Sequence, residues 1–205
     1  IANLFKKNPN YQITVFEKNH SIDFNEGYGI QLSVNSVKLL NQVGFNKFKD
    51  DKKFNPDKIN FYFIKSSHKI CDLSISDFNS QDCKYTTLKR SDLVNFLKIN
   101  LKDKIKTNHS ISKIDQENQK IKITFENNKI FECDYLIISD GVFSKSKSLI
   151  LNDETQPIYN KTLAIRGIIP NSKKVDCKNI SLFLGPNFHQ VIYPVNSSGD
   201  LNFIA

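Results

Sequence analysis

"QITVFEKN", Gln12 to Asn19, decides how the rest of the chain is read. Ile13, Val15 and Phe16 form an apolar, strand-like run that ends on an acid, Glu17, before the chain turns polar. In nucleotide-binding βαβ units, an acid ending a buried parallel strand accepts hydrogen bonds from ribose hydroxyls. Such a unit carries a strand and a glycine-rich loop upstream. The residues before Gln12 supply neither. "IANLFKK" reads instead as the last turns of a helix, with Ile1, Leu4 and Phe5 at helical spacing. The sequence contains no Met, and "LNFIA" stops inside a strand pattern. Both ends are therefore expected to be cut, with the first strand and its glycine loop lying before Ile1.

Working outward, a polar loop over 18–29 carries Gly27 and Gly29. "IQLSVNSVKLLNQVG" then predicts a helix capped by Ser33, with Val34, Val37, Leu40 and Val43 on its apolar face and Gly44 as its stop. Segment 45–58 is rich in Lys and Asp and reads as a loop or frayed helix. "INFYFIKSSHKICDLSI" alternates like a hairpin turning near Ser66–Ser67. A second helix is expected to start near Ser91, read as its cap, with Leu93, Phe96, Leu97 and Leu101 on one face. Between 110 and 138, "ISKIDQ", "KIKITFE" and "KIFECDYLIIS" predict three strands. Glu117–Asn118 and Asn127–Asn128 are their turns. The buried run "YLIIS" is expected to end at Asp140–Gly141. After a polar stretch, "KTLAIRGIIP", "ISLFLG", "HQVIYPV" and "LNFIA" predict long antiparallel strands.

Composition removes several classes. The 205 residues carry a formal charge of +8, but of 29 basic residues only Arg90 and Arg166 are arginine, and the lysines are spread along the whole length. A nucleic-acid surface clusters its basic residues and favours arginine, so a non-catalytic basic binding module is the weakest reading and no nucleic-acid partner is expected. Cys71, Cys83, Cys133 and Cys177 form no CxxC pair. They read as reduced thiols of a cytoplasmic protein, and no metal site is expected. No apolar run approaches the roughly 20 residues of a membrane helix, so no integral membrane segment is expected. The composition leaves the oligomeric state open.

Several segments together resemble one family, the class A flavin-dependent aromatic hydroxylases that include p-hydroxybenzoate, salicylate and 3-hydroxybenzoate hydroxylases. "VFEKN" is similar to the end of the second strand of their FAD domain. "GYGIQLSVNSVKLLNQVG" resembles their G-x-G-I-Q-L-x-P-N-x-x-x-x-L-x-x-x-G, with Val34 in place of Pro. "LKRSDLVNFL" looks like the R-x-x-L-x-x-x-L helix start. "DYLIISDGVFSKSK" is similar to the D-G motif, with Ser139 for Ala and Lys147 where Arg is common. "LFLGPNFHQVIYPV" resembles the sheet over the substrate pocket in the salicylate and 3-hydroxybenzoate branch. The matches run in order from Glu17 to Ala205. The family's glycine loop and its later Gly-Asp segment fall outside the 205 residues, which by themselves are expected to be inactive.

The resemblance implies a mixed α/β (α+β) chain: a Rossmann-like FAD-binding domain interrupted by an antiparallel substrate-side β-sheet. The expected layout is 1–58 and 87–157 for the FAD-binding parts, 59–86 for the substrate-side insertion and 158–205 for a truncated substrate sheet. It implies FAD as cofactor, NADH or NADPH as co-substrate, O2, and a small aromatic substrate that is phenolic or benzoate-like. Another FAD enzyme of the same fold, an epoxidase or a ubiquinone-pathway hydroxylase, is the alternative. The cofactor-side candidates are Glu17, Gln31, Asn35, Arg90, Asp140 and Gly141. Alternation puts His189, Val191 and Tyr193 on one strand face. His189 is the candidate catalytic base for a phenol, because imidazole exchanges protons near neutrality. Arg166 and Tyr193 are the substrate-side candidates. His20, His68 and His109 read as surface residues.

Overall fold

The computed structural model describes residues 1–22, 27–153, 155–171 and 177–205. Residues 23–26 of the expected polar loop lie outside these. In chain order the elements are α1 (Ala2–Phe5), β1 (Val15–Phe16), β2 (Gly29–Leu32), α2 (Val34–Asn41), β3 (Lys53–Phe54), β4 (Lys58–Phe63), β5 (His68–Ser74), β6 (Thr86–Lys89) and α3 (Arg90–Ile99). They continue as β7 (Ile105–Lys106), β8 (Ile111–Glu117), β9 (Lys120–Phe125), β10 (Ile130–Cys133), α4 (Lys145–Leu151), β11 (Arg166–Ile169), β12 (Ile180–Gly185), β13 (Phe188–Pro194) and β14 (Leu201–Ile204). Contacts gather these into two compact units. One comprises Ile1–Asn8, Phe24–Leu101 and Leu163–Ala205, the other Pro9–Asp23 and Lys102–Thr162. α2, α3 and the large sheet fall in the same unit.

The first unit is built on period-two alternation. In the small antiparallel sheet β2-β6-β3, Ile30 lies opposite Leu88 and Gln31 opposite Thr87. Ile30, Leu32 and Leu88 face a helical layer, where Val37 of α2, Leu93 and Phe96 of α3, and Phe45 and Phe48 form one apolar cluster. Phe45 stacks on Phe48 at 5.1 Å, and Phe96 meets both edge-on. α2 ends at Asn41 with Gln42 as its cap, and the turn that follows reaches the expected stop at Gly44, whose φ of +93° is left-handed.

The other face of the small sheet carries Gly29, Gln31 and Thr87, and it meets the large sheet. That sheet runs β11-β14-β13-β12-β4-β5. β4 and β5 form the expected hairpin, with Ser67 at φ +54°. β12 pairs with β13 antiparallel but with β4 parallel, so the expectation of antiparallel pairing fails at that one ladder. The Gly29 N–H donates to Asn202 Oδ1 at 2.5 Å, and Thr87 Oγ1 donates to the Pro194 carbonyl at 2.5 Å. Between the sheets Ile75, Ile180, Tyr193 and Val195 make a second core.

In the second unit β1 runs parallel to β7, and β8, β9 and β10 form the expected meander, turning at Asn118–Gln119 and Asn128 with positive φ. Phe16 of β1 packs 4.7 Å from Phe125 and 5.0 Å from Phe131. His109 completes this cluster, 4.8 Å from Phe125, and so is a packed residue rather than the expected surface one.

Two expectations fail for identifiable reasons. The run "YLIIS" is not a buried strand: residues 135–139 pair with no strand among the described residues, and Tyr135 is 86 %, Ile137 53 % and Ile138 37 % exposed. An apolar run becomes a strand only when a neighbour accepts its backbone hydrogen bonds. Ser91 is not a cap either. α3 begins at Arg90, with Lys89 in the cap position and no side-chain cap bond. By contrast Ser144 does cap α4, accepting from the Lys147 N–H at 3.0 Å.

A Cβ at position 29 would lie 2.7 Å from both Asn202 Cβ and Val195 Cγ1, two fully buried neighbours. Gly29→Ala is therefore expected to cost about 1–3 kcal/mol through overpacking. Asn35→Ala, exposed on α2, should stay within about 0.5 kcal/mol. Urea unfolding of the two variants checks the contrast.

Candidate functional site

In the first unit, Gln31, Tyr85 and Tyr193 meet where the small sheet crosses the large one. Tyr85 sits just before β6 and donates its hydroxyl to Gln31 Oε1 at 2.7 Å. Tyr193 lies opposite Asn202 across the β13–β14 ladder and is only 1 % exposed. Burial pushes its phenol up to about 12, against the opposing pull of hydrogen bonding to Gln31 and of the Arg166 charge. Burial also raises the Tyr85 phenol. Asn202 gives its carbonyl oxygen to Gly29, and its buried Nδ2 meets no acceptor in good geometry, although its dipole still favours the Tyr193 oxygen. Both phenols therefore stay protonated at neutral pH, and Tyr85 is the hydrogen-bond donor to Gln31.

Arg166, exposed at the start of β11, lies beside this group with its guanidinium 5.3 Å from the Tyr28 ring. Arg90 is the first residue of α3. Its N–H donates to the Tyr28 carbonyl at 2.9 Å, and its guanidinium lies 5.6 Å from the same ring. Asn35 is exposed on the first turn of α2. His189 shares the strand face of Tyr193, as alternation requires, but is exposed at the hairpin end of β13, opposite Leu184. Four residues of strand separate it from Tyr193, about 13 Å at the usual rise, so the fold does not bring it to the Gln31 group.

In the second unit, Glu17 directly follows β1. Its N–H donates to Lys106 and its carbonyl accepts from His109, both at 2.9 Å, which continues the parallel ladder past Phe16. One carboxylate oxygen accepts from the Asn19 N–H at 3.0 Å, leaving lone pairs for further donors. Asp140 follows the unpaired 135–139 run, and its carboxylate accepts from the Ser146 N–H at 3.1 Å. Burial works to raise this carboxyl. Hydrogen bonds from Ser144 and Ser146 outweigh that and hold it below the usual range. Gly141 has φ +85°, with open space where a side chain would stand.

Sequence reasoning missed Tyr28, Tyr85 and Asn202. Tyr28 had a signal, its place between two glycines in "GYG". Tyr85 and Asn202 had none, because their partners lie 54 and 173 residues away. Among the described residues no three His, Cys, Asp or Glu side chains gather as metal ligands, the four cysteines are free, and no helix is long and apolar enough to cross a membrane.

This mixed α/β arrangement is the fold of FAD-binding hydroxylases. Klebsiella pneumoniae HpxO, solved with FAD and uric acid, superposes with a TM-score of 0.80 at 17% identity, covering 93% of this chain and 48% of that one. The 2,6-dihydroxypyridine-3-hydroxylase of Arthrobacter nicotinovorans superposes with a TM-score of 0.82 at 16% identity, covering 99% and 52%. By sequence the chain is similar to the FAD-dependent monooxygenase pigN of Monascus ruber, 29% identical over 98 residues, which are 43% of this chain and 22% of that protein. No family model matches. The chain spans about half the length of these solved structures.

The raised phenol has a consequence for alkaline stability. A group whose folded pKa lies above its unfolded one, here about 12 against 10.0, stabilises the fold fully below pH 10. That contribution is lost as the pH rises through 12. Wild-type stability, followed by urea midpoint, is expected to fall across this window, and Tyr193→Phe should flatten the fall.

Proposed function

We propose that the protein is, or is part of, an FAD-dependent monooxygenase that hydroxylates a small aromatic substrate, phenolic or benzoate-like, using NADH or NADPH and O2. What carries this reading is the likeness of nearly the whole chain to the fold of HpxO and 2,6-dihydroxypyridine-3-hydroxylase. Each unit by itself offers donors that suit the cofactor chemically. The Glu17 carboxylate, with lone pairs to spare, suits ribose hydroxyls. Arg90 at the start of α3 suits the diphosphate, since a guanidinium and a helix N-terminus both favour anions. Gln31 and Asn35 offer amides from β2 and α2, and Gly141 with Asp140 offers an open backbone turn. When bound, FAD supplies the redox chemistry, taking electrons from NADH or NADPH and activating O2.

The residues of the chain have the other tasks. Tyr193, fully buried and held protonated, backs the substrate side of the site from within the sheets and does not touch the ring. Tyr85 fixes Gln31 so that its amide keeps one orientation. Arg166 draws in a phenolate or carboxylate. His189 is the proposed proton acceptor for the phenol. It sits at the exposed strand end, where a proton can pass to water. A soluble, cytoplasmic setting suits these reactants.

The test uses the longest natural chain that contains residues 1–205. FAD should bind stoichiometrically, and Arg90→Ala should weaken that binding roughly ten- to a hundredfold, the worth of a charge-assisted hydrogen bond. A protein that binds no flavin would refute the reading. In the same protein, His189→Ala is expected to leave NAD(P)H oxidation largely intact while product formation drops about 10²–10⁴-fold and hydrogen peroxide appears. Product per NAD(P)H equal to wild type would remove His189 from catalysis.

A further inference from the structure

The large sheet has two faces, and only one of them carries the Gln31 group. Residues opposite each other across a ladder share a face, and their immediate neighbours take the other. Ile59 and Ile180 lie opposite each other and pack with Tyr193 in the second core. One residue on, Asn60 stands opposite Ser181, and Ser181 opposite Ile192. Two further on, Tyr62 stands opposite Phe183 on the same outer face. This face holds a cavity of about 390 Å³, lined by these five residues and by residues 177–179 just before β12, all within the first unit.

The walls divide by chemistry. Tyr62 and Phe183 stack at 5.1 Å with 21° between their planes, an aromatic pair against which a further ring packs offset or edge-on. Ile192 continues the apolar wall from β13. Asn60 and Ser181 stand on paired strands about 4.8 Å apart, close enough to reach one edge of a ligand together. Both are half-buried, and among the described residues neither side chain bonds any protein group. The polar groups at the end of the cavity are engaged otherwise. Asn179 Oδ1 accepts from the Lys58 N–H at 3.0 Å, and Cys177 Sγ donates to the Asn179 carbonyl at 3.1 Å. Asn60 thus presents an open carboxamide, donor and acceptor side by side, and Ser181 a hydroxyl that serves as either. A carboxamide makes two bonds at once to a ligand edge that carries an N–H beside a C=O. The volume suits such a ligand, since small-molecule sites commonly measure about 300–1,000 Å³. Strand pairing already fixes the five side chains in place, so little ordering opposes binding.

We propose that this cavity is a second ligand site, separate from the Gln31 group, for a small planar heteroaromatic molecule with a lactam edge. The aromatic pair receives the ring, and Asn60 with Ser181 reads its N–H and C=O. The site stands independently of the flavin reading, because it lies on the other face of the sheet and no flavin signal enters its test.

The test uses the longest natural chain that contains residues 1–205, labelled with ¹³C at the isoleucine δ1-methyl groups. Ile192 reports on the cavity and Ile180 on the inner face, each signal assigned through its valine variant. The probe is 2-pyridone, a single ring with one lactam edge. It should shift the Ile192 methyl along a saturable curve and leave Ile180 in place. N-methyl-2-pyridone keeps the ring but lacks the N–H, and should bind about two- to tenfold more weakly. Ser181→Ala should weaken 2-pyridone binding by a similar factor, and Asn60→Leu, which removes two bonds, about five- to a hundredfold. Gln31→Leu, on the inner face, should leave it within about twofold of wild type. No shift at Ile192, a shift at Ile180 alone, or equal affinity for the two probes would each overturn the proposal. So would an Ile192 curve that Asn60→Leu leaves unchanged. If Asn60→Leu is unfolded by circular dichroism, Ser181→Ala and the contrast between the two probes decide.

Discussion

The first unit depends on one close approach, the strand backbone at Gly29 lying against Asn202. The N–H of Gly29 reaches Asn202 Oδ1 at 2.5 Å across 173 residues of sequence, and no room remains for even one carbon on the glycine. Because β2 sits this near to β14, its next inward residue, Gln31, falls within reach of Tyr85, and Tyr193 is sealed between the sheets opposite Asn202. Thr87, directly opposite Gln31, makes a second tie to Pro194. The phenol–amide group is thus a product of sheet spacing. It carries the cost of an unpartnered buried Nδ2 on Asn202, of the order of 1–3 kcal/mol, which the surrounding burial must outweigh.

The second unit solves a smaller problem, how to hold a two-residue strand. A ladder as short as β1–β7 has few hydrogen bonds of its own. Phe16 compensates by entering an aromatic cluster with Phe125, Phe131 and His109. Two of these rings come from the meander, so the strand that carries Glu17 is fixed by packing on a neighbouring sheet more than by its own pairing. His109 is fixed in turn, its Nδ1–H donating to the Thr107 carbonyl at 2.5 Å.

Local patterns were the legible part. The helix with its stop at Gly44, the hairpin at Ser67 and the meander with its Asn turns follow from periodicity and turn chemistry, which act over a few residues. Gln31 and Tyr193 could be singled out by their resemblance to a family pattern, but their meeting could not, because it depends on a register set by β2, β6 and β14 together. "YLIIS" misled for the opposite reason. Its composition is that of a buried strand, yet composition cannot say whether a neighbour is present to pair with it. Tyr28 was passed over because glycines on either side draw attention to backbone freedom, whereas its ring lies close to both arginines.

The single parallel ladder in the large sheet has a consequence for how the molecule is made. β4 pairs with β12 in register Ile59 to Ile180, and the Lys58 N–H is closed by Asn179 Oδ1 at 3.0 Å, 121 residues downstream. On the ribosome the β4–β5 hairpin can form early, but one edge of β4 stays open until β12 has emerged. Closing so long a loop comes late, and an open, apolar strand edge invites pairing with other chains in the meantime. The second unit lies mostly in the sequence between these two strands, so it can complete its meander while the hairpin waits. Synthesis rate and chaperone access between residues 63 and 180 therefore bear on the yield of folded protein more directly than the stability of the finished sheet.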